Sequence, residues 1–118
     1  MDTGIYIHIP FCLKRCTYCD FNTYTGLLAM EDDYVAAILH EIELRAERFV
    51  NVDAVTLYLG GGTPSLLHVE NVARIIEAAH QMLNLPWDAE ITLEANPGTI
   101  DEAKLSALRQ AGVTRLSL

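Results

Sequence analysis

Residues 5–19 read IYIHIPFCLKRCTYC, an alternating apolar segment that runs past Pro10 into three cysteines. Cys12, Cys16 and Cys19 are the only cysteines of the 118-residue chain, so no further thiol of the chain can pair with them. An odd number of closely spaced thiols is untypical of a disulfide framework and favours thiolate ligation of a soft metal centre. Three thiolates can hold a [4Fe–4S] cube and leave one iron without a protein ligand. The segment therefore predicts an iron–sulfur cluster with one iron open to a small molecule.

Two other uses of the cysteines are weaker. A structural zinc site could combine the three thiolates with His8, but His8 alternates with isoleucines on a strand, where a histidine is often only packed or solvent-facing. A redox C-x-x-C pair of Cys16 and Cys19 would leave Cys12 unexplained. The iron–sulfur interpretation is the favoured one.

Composition and charge disfavour several classes of partner. With 51% hydrophobic residues, the chain has enough apolar material for the core of one small domain. Sixteen acidic against eight basic residues give a formal net charge of −8, with no basic stripe for a nucleic-acid backbone. The longest apolar run covers residues 34–39, too short to span a bilayer, and no signal peptide is visible. Free thiols fit a reducing compartment, so we expect a cytoplasmic protein.

Apolar periodicity predicts alternating strands and helices. Strands are expected at residues 5–9, 54–59, 91–96 and 113–118. A first helix is expected at 31–49, where the acidic residues 31–33 open it. A second is expected through the apolar residues Val72, Ile75, Ile76, Ala79 and Leu83. A third is expected from a capping box at 99–102 to Gly112. Such an order predicts βαβ units and an α/β fold with a parallel sheet. Residues 115–118 have no turn after them, so we expect residues 1–118 to be the N-terminal part of a longer protein.

Three consecutive glycines, Gly60 to Gly62, follow the second strand directly. Glycine lets the backbone approach a ligand closely and adopt conformations that other residues avoid. No Gly-Lys-Ser/Thr follows and the spacing is not G-x-G-x-x-G, so a phosphate loop is disfavoured. A tight turn would not by itself need three glycines.

The spacing C-x3-C-x2-C, with Tyr18 before the last cysteine, resembles the signature of the radical SAM superfamily. GGGTPS at 60–65 and EANPG at 94–98 recur in the same order as in the branch that contains oxygen-independent coproporphyrinogen III oxidase and the haem chaperone HemW. The resemblance covers the whole chain. It implies the N-terminal portion of a partial (β/α)6 barrel, in which chemistry gathers at the carboxyl ends of the strands. Each of the three motifs follows a strand, so all three are expected to meet there.

The resemblance also implies the cofactors. Cys12, Cys16 and Cys19 would bind three irons, and the fourth would take S-adenosylmethionine (SAM) through its amino and carboxylate groups. An electron from a flavodoxin-type donor would then cleave the sulfonium to methionine and a 5′-deoxyadenosyl radical. The SAM contacts carried over by resemblance are Tyr6, Tyr18, Gly61, Gly62, Thr63 and Glu94. For Tyr6 the alternative is a half-buried strand tyrosine, and for Tyr18 it is loop packing.

Glu94 alternates with Ile91, Leu93 and Ala95, which places it on the face that looks inward in a barrel. An unpaired carboxylate there would be costly, and SAM could supply the partner. The alternative is a salt bridge with Arg115 on the next strand. The remaining histidines, His40, His68 and His80, are predicted to be solvated or capping residues.

Phe21 separates two possible functions. In the oxidase the last cluster cysteine continues as C-x-C, whereas this chain has Cys19-Asp20-Phe21, which matches the HemW-like subgroup. The favoured function is therefore a haem chaperone that passes haem to acceptor proteins. The alternative is an enzyme that decarboxylates two propionates of coproporphyrinogen III to vinyl groups.

Overall fold

The computed structural model describes residues 2–10 and 30–118, and in these residues four parallel strands form one sheet. The strands are β1 (Asp2–Ile9), β2 (Asp53–Gly61), β3 (Glu90–Glu94) and β4 (Arg115–Ser117), and they lie side by side in sequence order. Their register aligns Tyr6 with Tyr58 and Glu94 with Ser117. The predicted α/β fold with a parallel sheet is confirmed.

Helices occupy the connections, as the periodicity predicts. They are α1 (Glu31–Arg45), α2 (Val69–Met82) and α3 (Glu102–Ala111), with short 3₁₀ turns at Ala46–Phe49, Pro64–Leu66 and Pro97–Thr99. The helix expected at 31–49 is α-helical only to Arg45, and its last four residues form the first 3₁₀ turn. Across residues 2–10 and 30–118, no helix combines the length and the hydrophobicity needed to cross a bilayer.

One face of the sheet packs against the helices. Ile5, Ile7 and Ile9 are buried, whereas Tyr6 and His8 between them are exposed, as the alternation predicts. A single buried cluster joins these isoleucines to β2, β3 and the three helices through Leu57, Leu59, Ile91, Leu93, Val35, Ile42, Val72, Ile75, Ile76, Ala79 and Leu108. Full burial of each such leucine or isoleucine contributes about 1.5–3 kcal/mol. Tyr6 and His8 therefore lie on the face opposite the core.

The start of α3 differs from the expected capping box. Asp101 is the N-cap, and its Oδ1 accepts from the Lys104 backbone N–H at 2.7 Å. Thr99, the residue expected to cap, belongs to the preceding 3₁₀ turn, where its hydroxyl donates to the Asn96 carbonyl at 2.7 Å. The expected end is confirmed, because Gly112 follows the helix with a φ of +119°.

Glu31 opens α1, as the sequence predicts, and its side chain also makes contacts that the sequence does not indicate. Its side chain is only 2% exposed. Its Oε2 accepts from the backbone N–H of His68 at 2.9 Å and from Asn71 Nδ2 at 2.6 Å, and it lies 3.0 Å from His68 Nδ1. His68 is the N-cap residue of α2, and its ring is 73% exposed, so the expectation for this histidine holds. Glu31 thus ties the first turn of α1 to the start of α2.

The other two histidines lie on α1 and α2. His40 is exposed, as expected for a solvated side chain. His80 is half-buried: its Nδ1 lies 2.9 Å from the Leu85 carbonyl oxygen, and its ring stacks on Trp87 with the ring centroids 4.0 Å apart. For His80 a merely solvated role is therefore wrong, since its ring anchors the turn that follows α2.

Candidate functional site

The predicted cluster ligands Cys12, Cys16 and Cys19 lie outside the described residues, as do Tyr18 and Phe21. The structure does describe where their segment begins, at the carboxyl end of β1. Among the residues it describes, there is no group of three or more His, Cys, Asp or Glu side chains that could hold a metal ion. The metal site therefore stays a prediction that rests on the cysteine segment.

The carboxyl ends of the first three strands are joined by two hydrogen bonds that backbone N–H groups of the glycine loop donate. The Gly62 N–H donates to the carbonyl oxygen of Ile9 at 2.7 Å, which holds the glycine loop against the end of β1. The Gly61 N–H donates to Glu94 Oε1 at 2.9 Å, which holds the end of β2 against the end of β3. The glycine motif and Glu94 therefore meet at the edge of the sheet where the cysteine segment begins.

A side chain at either of two of the three glycines would crowd its neighbours, and at Gly61 the neighbour is backbone. A Cβ on Gly60 would lie 2.8 Å from the Tyr58 ring and 2.9 Å from the Tyr6 ring. Gly61 has a φ of +117°, and a Cβ there would lie 2.6 Å from the Ile9 carbonyl oxygen. The prediction that this turn uses a conformation which other residues avoid is confirmed for Gly61.

Aromatic side chains cover the sheet face beside the glycines. Tyr6 is 57% exposed, and its ring stacks on Tyr58 with the ring centroids 5.8 Å apart and the planes 17° apart. The Tyr6 hydroxyl lies 3.2 Å from His8 Nδ1. Stacked aromatic rings give a flat, largely apolar surface that a planar ligand can cover.

Glu94 is hydrogen-bonded at both carboxylate oxygens. Besides the Gly61 bond to Oε1, the Tyr58 hydroxyl donates to Oε2 at 2.7 Å. This hydrogen bond is the main reason that the pKa of Tyr58 is raised above 10.0, while a hydrogen bond with Ser117 acts in the opposite direction. The alternative salt bridge with Arg115 is wrong, because Arg115 Nη1 lies 3.7 Å from Glu90 Oε1 instead.

An open cavity of about 350 Å³ is lined by three of the predicted SAM contacts, Gly62, Thr63 and Glu94. Its other lining residues are Ala95, Asn96, Pro97, Ser117 and Leu118. Tyr6 does not line this cavity but reaches Glu94 through the stacked ring of Tyr58. The site offers a carboxylate, which accepts hydrogen bonds, beside a loop whose glycines let the backbone come close to a ligand. It fits a ligand that offers ammonium or hydroxyl donors, as SAM does.

Ser65 joins the loops after β2 and β3, and sequence reasoning gave it no role. The side chain is fully buried, its Oγ lies 2.5 Å from Thr99 Oγ1, and it accepts from the Asn96 backbone N–H at 3.1 Å. Lys104 Nζ donates to the Ser65 carbonyl oxygen, and burial lowers the pKa of Lys104. No periodic signal marks such a contact, since its partners lie more than thirty residues away in the chain.

Tyr58 is the other site residue that the sequence analysis missed. It alternates with the buried Leu57 and Leu59 on β2, so the reasoning that placed Tyr6 on the open face applies to it equally. Its position on the face was therefore predictable. Its bond to Glu94 was not, because that bond depends on the register between strands.

The sequence is similar to those of known radical SAM proteins. Residues 6–118 match the family model described as the Radical SAM superfamily. The chain is 42% identical to the heme chaperone HemW of Mycobacterium tuberculosis (strain ATCC 25618 / H37Rv), covering 98% of this chain and 30% of the relative. It is 39% identical to the heme chaperone HemW of Escherichia coli (strain K12), covering 98% of this chain and 31% of that relative. The chain thus spans about a third of the length of these curated relatives.

A solved structure has the same fold. It is described as coproporphyrinogen III oxidase (HemN) from Escherichia coli, a radical SAM enzyme, and it superposes with a TM-score of 0.81 at 35% sequence identity. The match covers 96% of this chain and 26% of the solved one. The four-stranded parallel sheet with its helices thus corresponds to part of that radical SAM fold. With the matched family model and the carboxyl-edge geometry of the glycine motif and Glu94, these findings establish that the chain belongs to the radical SAM superfamily.

Proposed function

We propose that the chain supplies the cluster- and SAM-binding part of a HemW-like haem chaperone, which binds haem and passes it to acceptor proteins. The observation that carries the SAM part is the Gly61–Glu94 hydrogen bond, which brings two predicted contacts to the same edge of the sheet. The haem part is supported by relatives at about 40% identity that are named heme chaperone HemW. Phe21 in place of a further cysteine supports it as well.

Each group at this edge has a definite task in the proposal. The thiolates of Cys12, Cys16 and Cys19 hold a [4Fe–4S] cluster, and SAM is contacted by Tyr6, Tyr18, Gly61, Gly62, Thr63 and Glu94. When bound, these cofactors supply a one-electron cleavage of a carbon–sulfur bond. Glu94 accepts hydrogen bonds from ammonium or ribose hydroxyl groups, and the glycines let backbone carbonyls come close. Tyr6 stacks on Tyr58, whose hydroxyl donates to Glu94.

Oxygen-independent coproporphyrinogen III oxidase is the second candidate. The solved structure of HemN, whose fold this chain shares, favours it. Phe21 weighs against it. In either case a flavodoxin-type reductant is the proposed electron donor, and the cytoplasmic location stays a prediction.

The cluster is tested by anaerobic reconstitution of the full-length protein that contains these 118 residues. We expect about four irons and four sulfides per chain, as three thiolates can hold a cube. Replacing Cys12, Cys16 or Cys19 by alanine should abolish cluster binding, whereas Thr17→Ala, which removes no thiol from the same segment, should leave it intact. Stoichiometric zinc without broad absorption in the visible blue would contradict the iron–sulfur assignment.

The haem function is tested with the same reconstituted protein. We expect it to bind haem in a spectroscopic titration and to leave coproporphyrinogen III unconverted under anaerobic conditions, even with SAM and a reductant. Phe21→Cys alone should not produce conversion, because substrate positioning also depends on further contacts and small misplacements lower rates steeply. Efficient formation of protoporphyrinogen IX without measurable haem binding would make the oxidase assignment correct.

A further inference from the structure

We propose that Tyr58 is a positioning residue, whose hydroxyl holds the Glu94 carboxylate in the orientation that bound SAM requires. The inference rests on the proposed function, because it takes Glu94 as a SAM contact. The Tyr58 hydroxyl donates to Oε2 at 2.7 Å and the Gly61 N–H donates to Oε1 at 2.9 Å. Both donors belong to β2, so the neighbouring strand holds the carboxylate at both oxygens. Rotation of the carboxylate would break both hydrogen bonds.

The Tyr58 ring is itself fixed in place. It stacks on Tyr6, with the ring centroids 5.8 Å apart. Gly60 leaves the room for this pair, since a Cβ there would come within 2.9 Å of both rings. The orientation of Glu94 is thus set by the folded sheet before any ligand arrives. Binding therefore does not have to pay the conformational entropy of ordering the Glu94 side chain.

The hydroxyl does not occupy the place of the ligand. Each carboxylate oxygen has two lone pairs, and Tyr58 and Gly61 use one on each. The remaining lone pairs of Glu94 can accept from donors in the adjoining cavity, which Gly62 and Thr63 also line. A phenol with its ordinary pKa is already protonated at neutral pH, so the Tyr58 hydroxyl is able to donate there. This same hydrogen bond raises the pKa of Tyr58 further.

The test measures the SAM dissociation constant of the reconstituted protein in equilibrium binding. Tyr58→Phe removes only the hydroxyl, and we expect about tenfold weaker binding with iron content and melting temperature close to those of the parent. Glu94→Gln should weaken binding more, and the double variant should be no weaker than Glu94→Gln alone, since Tyr58 acts through that carboxylate. Tyr34→Phe is the matched control and should bind SAM as the parent does.

A second readout needs no cofactor. The ultraviolet difference titration between the parent and Tyr58→Phe isolates one phenol, which should ionise above its ordinary pKa. In a Glu94→Gln background the pKa of Tyr58, measured by the same difference titration, should fall towards its ordinary value. The reason is that the hydrogen bond with the Glu94 carboxylate, the largest cause of the raised pKa, has been removed.

The outcomes separate the two proposals. Unchanged or tighter SAM binding by Tyr58→Phe, in a parent that binds SAM, would overturn the positioning role and leave the proposed function standing. Additive losses in the double variant would also overturn it. A parent that binds a [4Fe–4S] cluster but no SAM would overturn both.

Discussion

At the scale of single residues, polar side chains determine how the loops of this sheet are held. Glu31 is buried, and its Oε2 accepts hydrogen bonds from His68 and Asn71. The sequence signal at this position, an acidic residue that opens a helix, is real but incomplete. It indicates the start of α1 and gives no information about the partners that α2 provides.

Removing the Glu31 carboxylate should therefore destabilise the protein. Glu31→Ala leaves the His68 N–H without its acceptor and removes one of the two acceptors of Asn71 Nδ2, the other being Asp32 Oδ1. We expect the free energy of unfolding to fall by about 1–3 kcal/mol. Urea unfolding followed by circular dichroism measures the change. Glu43→Ala, an exposed glutamate of the same helix, should change stability by about 0.5 kcal/mol or less. Equal effects of the two variants would contradict the anchoring role.

For single residues, the sequence predicts which face of a strand a side chain lies on, but not which partner it binds. Alternation placed Tyr6 correctly on the open face and Ile5, Ile7 and Ile9 in the core, because a strand repeats every two residues. The partner of Glu94 could not be found in this way. Arg115, the alternative partner, lies across from Thr92 in the sheet, while Tyr58 donates from the strand on the other side.

At the scale of elements, helices and strands were predicted well except at their ends. The apolar residues of α2 that define its predicted face, Val72, Ile75, Ile76 and Ala79, are buried as their spacing indicates. The start of α3 was misplaced because Thr99 and Asp101 are both good N-cap residues by type. Tertiary structure decides between them: the Thr99 hydroxyl lies against Ser65, so Asp101 caps the helix.

Helix α1 is fastened to β1 by a tyrosine. The Tyr34 hydroxyl donates to the His8 carbonyl oxygen at 2.6 Å. Burial, and after it the charge of Glu41, raises the pKa of Tyr34 above its ordinary value of 10.0. In the unfolded chain the phenol therefore loses its proton at lower pH than in the folded protein. The stabilisation linked to this proton is fully present below about pH 10 and is lost as the pH rises through the folded value.

Tyr34→Phe should accordingly change how stability depends on pH. We expect the unfolding free energy of the parent to fall more steeply above about pH 10 than that of Tyr34→Phe. Below that pH the two curves should run parallel, with the variant slightly less stable because it lacks one hydrogen bond. Urea midpoints across the alkaline range measure both. Curves that stay parallel throughout would show that the Tyr34 proton is not linked to folding.

At the scale of the whole molecule, the sequence predicted the architecture but not the hydrogen bonds that connect its loops. Strands that alternate with helices give a parallel sheet almost by necessity, so the fold class followed from periodicity. The Ser65 contacts did not follow, because they depend on how closely two loops approach in the finished fold. Ser65 holds Asn96 and Thr99 of one loop to the glycine-containing loop before it.

Ser65→Ala should therefore affect both stability and the site. It leaves the N–H of the half-buried Asn96 without its acceptor. We expect a loss of about 0.5–1.5 kcal/mol in unfolding free energy together with weaker SAM binding. The exposed Ser106→Ala on α3 is the matched control and should alter neither quantity. Lower stability with SAM affinity unchanged would mean that Ser65 does not hold the site in place.

The order of the strands has a consequence for synthesis on the ribosome. Because β1 pairs with β2, its partner starts only at Asp53, after the 43 residues 10–52 have been made. At about 5–20 residues per second, the nascent strand waits roughly 2–9 s for that partner. During this interval α1, which is made before β2, is the helix among the described residues that can cover Ile5, Ile7 and Ile9. The nascent chain is therefore most vulnerable to misassociation at β1, and each later strand finds its neighbour already made.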